Sequence, residues 1–390
     1  MNPSPTYLTT LTPLRGIAAL LVVIFHSSLY VMPMTDPAIT GLINEGWLWV
    51  DFFFILSGFV LSHVYGHYFE TSVTTSRFMS YVGARFARIY PLHLFALVCI
   101  TIAAIFIRQE ASQIDPVLQP MFSYWGFPAS LLLIQSMHIF PIAPLNGPAW
   151  SLSTEWWVYM LFPLFVGPLR RLPVFGKVLS WLGVAAFYYF LMYYIAPRYG
   201  LTRQITLNLV ADWGFFRCAA GFGLGMLLYD AYQNNWSRKI TGNGLFFTLA
   251  FGLILLAMHT HMHSLLIIAL FLPVILSAAY QTGWVKQVFS LRPLQRLGDW
   301  SFSIYMVHVP IIYLFYIPWL RKKPDLLAHY SPTGPANPDY TEGQIFCIML
   351  ICITLVVAIL TYNFIEVPAR RYLNMRFRTN KSKEPVIAVL

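Results

Sequence analysis

Charge is what this chain has least of. Only 10% of its 390 residues are Asp, Glu, Lys or Arg, against about a quarter in soluble globular proteins. A charged, water-facing surface over most of the molecule is thereby excluded. Cysteine is scarce as well. The four present, Cys99, Cys218, Cys347 and Cys352, lie in apolar stretches without zinc-ligand spacing, which argues for core packing over disulfides or a metal centre. The opening residues, MNPSPTYLTTLTP, lack the basic region and small-residue cleavage site of a removable signal peptide, so the first apolar helix is expected to remain as a membrane span. No exposed run interleaves basic and aromatic residues, which sets nucleic acid aside as a partner. An internal repeat is also missing, which weakens the case for a transporter built from inverted repeats.

What the chain has instead is apolar length. Hydrophobic residues make up 58% of it, in several runs near the roughly 20 residues that cross a bilayer as a helix. The reading is an all-α polytopic membrane protein of about ten transmembrane helices. They are drawn at 14–32, 47–64, 90–107, 149–167, 179–196, 213–230, 245–260, 264–280, 299–318 and 344–363. With the N-terminus inside, most of the 25 lysines and arginines fall on inner segments, so both termini are expected in the cytoplasm. Arg217 falls within a span. Residues 1–378 form one transmembrane domain and 379–390 a cytoplasmic tail. The outer segment 108–148 carries FPASLLLIQ, too short to cross and read as a re-entrant or surface helix. The outer segment 319–343, rich in proline and glycine, is read as a loop.

Ionisable groups inside spans are rare and tend to mark pathways or sites. The first span, within PLRGIAALLVVIFHSS, holds Arg15 and His26, eleven positions apart. That separation returns to within about 20° of the starting direction and rises about 16 Å. The two side chains therefore share a face at different depths. Asp51, at the outer start of the second span, has a depth similar to His26 and is a candidate to orient its ring and raise its basicity. Its alternatives are capping that span or pairing with another cation. Arg85 and Arg88, at i and i+3 in ARFARIYP, can clamp a phosphate bidentately or serve as positive-inside anchors.

Gly147-Pro148 opens a further span, in which Ser151 and Glu155 share a face. Glu155 is placed to hold an acceptor hydroxyl or to organise the site. Trp150, Trp156 and Trp157 suit an interfacial belt or stacking on a sugar ring. His308, near mid-bilayer with Ser301, Ser303 and Tyr305, competes with His26 as a base. Glu366 and Arg370, one helical turn apart, read as a structural ion pair. The histidines of HTHMH, His259, His261 and His263, are read as solvated, since no carboxylate accompanies them. No metal is expected.

In chain order, the Arg15–His26 pair, VDFFFILSGFVL, ARFARIYP, WSLSTEWWVY, LGDWSFSIYMVHVP and IEVPARR resemble the inner-membrane acyltransferase-3 family over residues 11–372. The chain resembles the stand-alone form, without a C-terminal SGNH-type hydrolase domain. The resemblance implies O-acyl transfer in the bacterial inner membrane, usually of acetyl from cytoplasmic acetyl-CoA to a hydroxyl of an extracytoplasmic glycan. Lipopolysaccharide O-antigen, capsule and exopolysaccharide are the acceptor classes it suggests. It carries function onto Arg15, His26, Arg85 and Arg88, with the arginines as the acetyl-CoA site. The sites expected to act in catalysis are then His26, Asp51, Glu155 and His308. Ser153, Tyr305 or backbone amides are candidates for the oxyanion. Direct transfer and transfer through an acyl-histidine both fit. The competing reading is a transporter or flippase of a lipid-linked or acylated glycan, to which intramembrane His, Asp and Glu are equally suited.

Overall fold

The computed structural model describes residues 7–114, 123, 125–140, 142–200, 205–210, 212–316 and 340–377. The tail 379–390 and nearly all of the outer loop 319–343 lie outside the described residues. The described chain is helical, with no strand. Its principal helices are α1 (Leu11–Tyr30), α2 (Trp49–Tyr65), α3 (Thr75–Ile114), α4 (Ala149–Arg171), α5 (Val174–Phe190), α6 (Gly214–Gln233), α7 (Gly244–His259), α8 (Ser264–Tyr280), α9 (Ser301–Ile311) and α10 (Thr341–Thr361). Five continuous helical stretches are long and apolar enough to cross a membrane: Leu11–Tyr30, Asn44–Tyr68, Thr75–Ile105, Val174–Tyr199 and Thr341–Phe377. Shorter apolar helices at Gly244–His259, Ser264–Tyr280 and Ser301–Leu314 stand beside them. Among the described residues of 108–148, a short helix, Gly126–Leu131, covers the FPASL stretch.

Burial follows helical period, with the usual orientation of a soluble protein absent on the outside. On α10, Phe346, Cys347, Leu350, Thr354 and Ala358 are buried, while Ile345, Ile348, Met349, Val356 and Leu360 are exposed. An apolar outer face of that length has a suitable solvent only in lipid.

Helix α1 is central. Leu14, Ala18 and Val22 belong to one hydrophobic cluster and Ala19 and Val23 to a second, so the helix is covered on two sides. Pro13 is tolerated in its first turn, where the missing N–H has no partner to lose. Gly16 lets the backbone of Leu297 and Gly298 lie directly on the helix, because any β-carbon there would collide with them. The α2–α6 pair is closer still. Gly58 faces the carbonyl of Phe222, and Gly225 faces that of Ile55, each with no room for a β-carbon. Small residues permit such backbone approach between membrane helices. These two contacts set the frame for the site.

Candidate active site

One cavity of about 140 Å³ opens inside the bundle. Arg15, Arg85 and Arg88 line it from α1 and α3, Ser57 from α2, and Ser151, Glu155 and Tyr159 from α4. Tyr305 closes the polar set from α9, while Phe53, Phe54, Leu56, Val60, Leu152 and Phe302 supply apolar wall. The three arginines singled out in the sequence therefore meet, although they come from segments some 70 residues apart.

Each arginine is held differently. Arg15 donates from Nη2 to Ser301 Oγ at 3.2 Å and to the Gly298 carbonyl at 3.4 Å. Arg85 donates from Nη2 to the Tyr65 hydroxyl at 3.1 Å, and its guanidinium carbon stands 5.1 Å from the centre of that ring. Its Nε is buried and has no partner among the described residues, a donor left open beside the cavity. Arg88 is ion-paired to Glu366. Glu366 sits at the end of a π-helical turn, Tyr362–Glu366, and accepts a 2.7 Å hydrogen bond from Ser303 Oγ on its other oxygen. Arg370, expected as its partner, is there as well, its Nη1 3.8 Å from Glu366 Oε1. The buried carboxylate thus carries a tertiary ion pair to α3 beside the local one that the spacing predicts.

Glu155 lies on the same wall as Ser151, as their spacing requires. Ser57 Oγ donates to Glu155 Oε1 at 2.7 Å, and the Tyr159 hydroxyl donates on to Ser57 at 3.3 Å. Further along α4 the polar wall ends in a hydroxyl pair. Ser151 Oγ and the Tyr305 hydroxyl are 2.8 Å apart, and the Tyr305 hydroxyl donates to the Pro148 carbonyl at 3.0 Å. Beyond Tyr305 stands His308, the two rings edge to face at 5.9 Å, and beyond it His26. Nε2 of His308 is 3.2 Å from Nδ1 of His26. Neither histidine lines the cavity itself; Tyr305 does, and its ring packs on His308. His26 is 7% exposed and His308 fully buried. Tyr30 stacks on His26 at 5.4 Å with an interplanar angle of 13°.

Two expectations are corrected here. Asp51 does not face His26. It is gripped by Arg217, with Nε to Oδ1 at 3.0 Å and Nη2 to Oδ2 at 2.5 Å, the guanidinium lying 4.8 Å from the Trp47 ring and 5.5 Å from Trp150. The α2–α6 glycine contacts make this pairing, since they bring the outer turns of both helices together. The place beside His26 is taken by His308. Ser153 is the second correction: its hydroxyl donates to the Leu133 carbonyl at 2.7 Å in a fully buried position, turned from the cavity. The residues not anticipated are Ser57, Tyr159 and Tyr65. A lone serine or tyrosine in an apolar helix carries no signal of its own, whereas the embedded Arg217 did announce an unpaired cation needing a carboxylate.

The HTHMH histidines are each tied to a different group: His259 to Thr40 Oγ1, His261 to the Pro37 carbonyl and His263 to the Tyr193 hydroxyl, all at 2.9 Å. Contrary to expectation a carboxylate does accompany them, with Glu45 Oε1 3.5 Å from Nδ1 of His261. Cys99, Cys218, Cys347 and Cys352 are free thiols.

A bundle of membrane-length apolar helices around an arginine-lined cavity and a buried histidine pair defines a membrane protein with an interior polar site. The chain belongs to the acyltransferase-domain family, whose model matches residues 11–366, and is an acyltransferase. Acyltransferase MdmB of Streptomyces mycarofaciens is 31% identical over 330 residues, 80% of this chain and 81% of the relative. O-acetyltransferase OatA of Staphylococcus aureus is 25% identical, covering 94% of this chain and 58% of the relative. Peptidoglycan O-acetyltransferase OatA of Listeria monocytogenes is 22% identical, covering 94% and 56%. The chain thus spans a little over half the length of both OatA relatives. No solved structure matches it.

Proposed function

We propose that this protein is an O-acyltransferase of the bacterial inner membrane with both termini in the cytoplasm. It takes an acyl group, acetyl above all, from cytoplasmic acyl-CoA and passes it to a hydroxyl of an extracytoplasmic glycan. The observation that carries this reading is the convergence of Arg15, Arg85 and Arg88 on one cavity whose polar wall leads through Tyr305 to His308 and His26. Coenzyme A is a phosphate-rich head on a long, flexible arm. Guanidinium groups bind phosphate through paired, charge-assisted hydrogen bonds, and an arm ending at His26 spans the rise from Arg15, about 16 Å along α1.

The chemistry then follows from the residues. The acceptor hydroxyl comes from outside to His26, which takes its proton as the oxygen attacks the thioester carbonyl. The carbon–sulfur bond breaks as the ester forms, and the coenzyme A thiolate recovers the proton and leaves toward the cytoplasm. Burial limits the water that would otherwise hydrolyse the thioester. Glu155, Ser57 and Tyr159 lie along the route of the arm, where hydrogen-bonding groups serve its amides.

The test is acyl transfer by purified protein in detergent, with no membrane gradient. Transfer that is lost in His26→Ala while that variant remains folded and inserted supports the reading. A wild-type protein that moves a glycan but transfers no acyl group overturns it in favour of transport. Mass spectrometry of surface glycans from cells with and without the protein identifies the group and the acceptor together.

A further inference from the structure

The two histidines have distinct roles, and their surroundings decide which is which. Nδ1 of His26 lies 3.0 Å from the carbonyl oxygen of Val22, one turn back on its own helix. Nδ1 of His308 lies 3.3 Å from the carbonyl of Ile304, likewise one turn back. A carbonyl can only accept, so a neutral ring in either place must carry its proton on Nδ1. The opposite tautomer of either ring would set a nitrogen lone pair against a carbonyl lone pair in a site where water cannot intervene. This assignment makes Nε2 of His308 a bare acceptor. That atom is the one 3.2 Å from the protonated Nδ1 of His26, so the His26 N–H is shared between the Val22 carbonyl and His308. Nε2 of His26 is then the unprotonated atom, the form a general base needs.

We infer that His308 is a positioning residue that locks His26 in the Nδ1–H tautomer, the part that a carboxylate plays in other histidine-based sites. The inference rests on the acyl-transfer reading above. It excludes His308 as the base, since its one lone pair is already engaged by His26. A neutral partner suits this location. A carboxylate there would be a buried charge with no counter-ion, and Asp51, the carboxylate expected at the depth of His26, is already neutralised by Arg217. When His26 takes up a proton on Nε2, its cationic ring keeps both acceptors on Nδ1, and that N–H bond strengthens as charge develops. The tyrosine stacked on His26 and the tight backbone bonds leave the ring no second orientation with comparable partners.

The experiment compares His308→Leu, which keeps bulk and removes the acceptor, with His308→Gln, whose amide oxygen can reach the place of Nε2. Turnover of purified protein should fall about 100-fold in the leucine variant, the scale on which a positioned general base contributes, while the KM for acyl-CoA holds within about twofold. The glutamine variant should recover turnover to within about tenfold of wild type, as restoring a supporting hydrogen bond does. Leucine and glutamine variants equally impaired, or a leucine variant with near-normal turnover, overturn the inference. Solid-state 15N spectra of histidine-labelled protein, with His26 assigned by difference against His26→Gln, read the tautomer directly and serve even where the leucine variant fails to fold. A wild-type signal with the proton on Nδ1 supports the lock, and a proton on Nε2 refutes it. A wild-type protein without any acyl transfer defeats the functional reading instead, while leaving the tautomer measurement intact.

Discussion

Asp51 and Arg217 form a two-pronged ion pair sealed inside the bundle, at 0% and 1% side-chain exposure. The third guanidinium nitrogen donates to the Leu209 carbonyl at 3.2 Å, so each guanidinium nitrogen and each carboxylate oxygen of the pair has a partner. Breaking such a pair from one side strands a buried charge and costs about 3–5 kcal/mol, whereas replacing both partners with apolar groups can be close to neutral. Arg217→Met alone should therefore lower the melting temperature in detergent sharply, and Asp51→Leu with Arg217→Met should recover most of it. The double variant should also retain acyl transfer, because the pair braces α2 against α6 without touching the histidines. A well-folded double variant without activity would instead return Asp51 to the chemistry.

The three arginines are expected to contribute unequally to donor binding. Among the described residues, Arg85 has a buried Nε without a partner and donates to one group, the Tyr65 hydroxyl, so its charge is available to an incoming phosphate. Arg88 is already neutralised by Glu366. Hydrogen bonds to charged groups contribute about 1.5–3 kcal/mol. Arg85→Ala should raise the dissociation constant for coenzyme A about 10- to 100-fold on that scale, measured by calorimetry in detergent. Arg88→Ala should weaken binding less but destabilise the fold more, since it removes the nearer of two cations from buried Glu366 and leaves only Arg370, at 3.8 Å. Equal effects on affinity would show that Glu366 releases Arg88 when the donor enters.

Helix contact at Gly225 is predicted to control the site from a distance. A β-carbon there would overlap the Ile55 carbonyl, and backbone cannot yield as a flexible side chain can. Gly225→Ala should cost about 1–3 kcal/mol, the usual range for overpacking, and Gly225→Leu should separate α2 from α6 enough to break the Asp51–Arg217 pair. Thermal melts of both variants check this. Gly252, where an added β-carbon would meet nothing within 4 Å outside its own helix backbone, is the control position, and its alanine variant should melt like wild type or higher.

Tyr305→Phe separates an architectural hydroxyl from a catalytic one. The hydroxyl is committed to Pro148 and Ser151 in this structure. Its removal should cost about 0.5–1.5 kcal/mol of stability and less than about tenfold in turnover. Loss of an oxyanion donor would instead reduce turnover by about 100- to 1000-fold, and kcat for the purified variant distinguishes the two.

The membrane character of this protein was legible in composition alone, because a chain with so little charge and so much apolar length has only lipid as a solvent for its outer faces. Helical periodicity also paired Arg15 with His26 and Ser151 with Glu155, since a rigid helix makes spacing into direction. Local spacing saw only part of the partnerships. Glu366 keeps Arg370, one turn away, at 3.8 Å but also binds Arg88 from α3, and Asp51 lies at the depth of His26 yet binds Arg217. Depth along a span can be counted from the sequence, whereas the azimuth at which one helix meets another cannot. That angle was decided by backbone contacts at Gly58 and Gly225 between α2 and α6, and at Gly16 between α1 and the segment before α9. Only the folded bundle could therefore place His308, a residue 282 positions away, against His26 and give the two imidazoles different work.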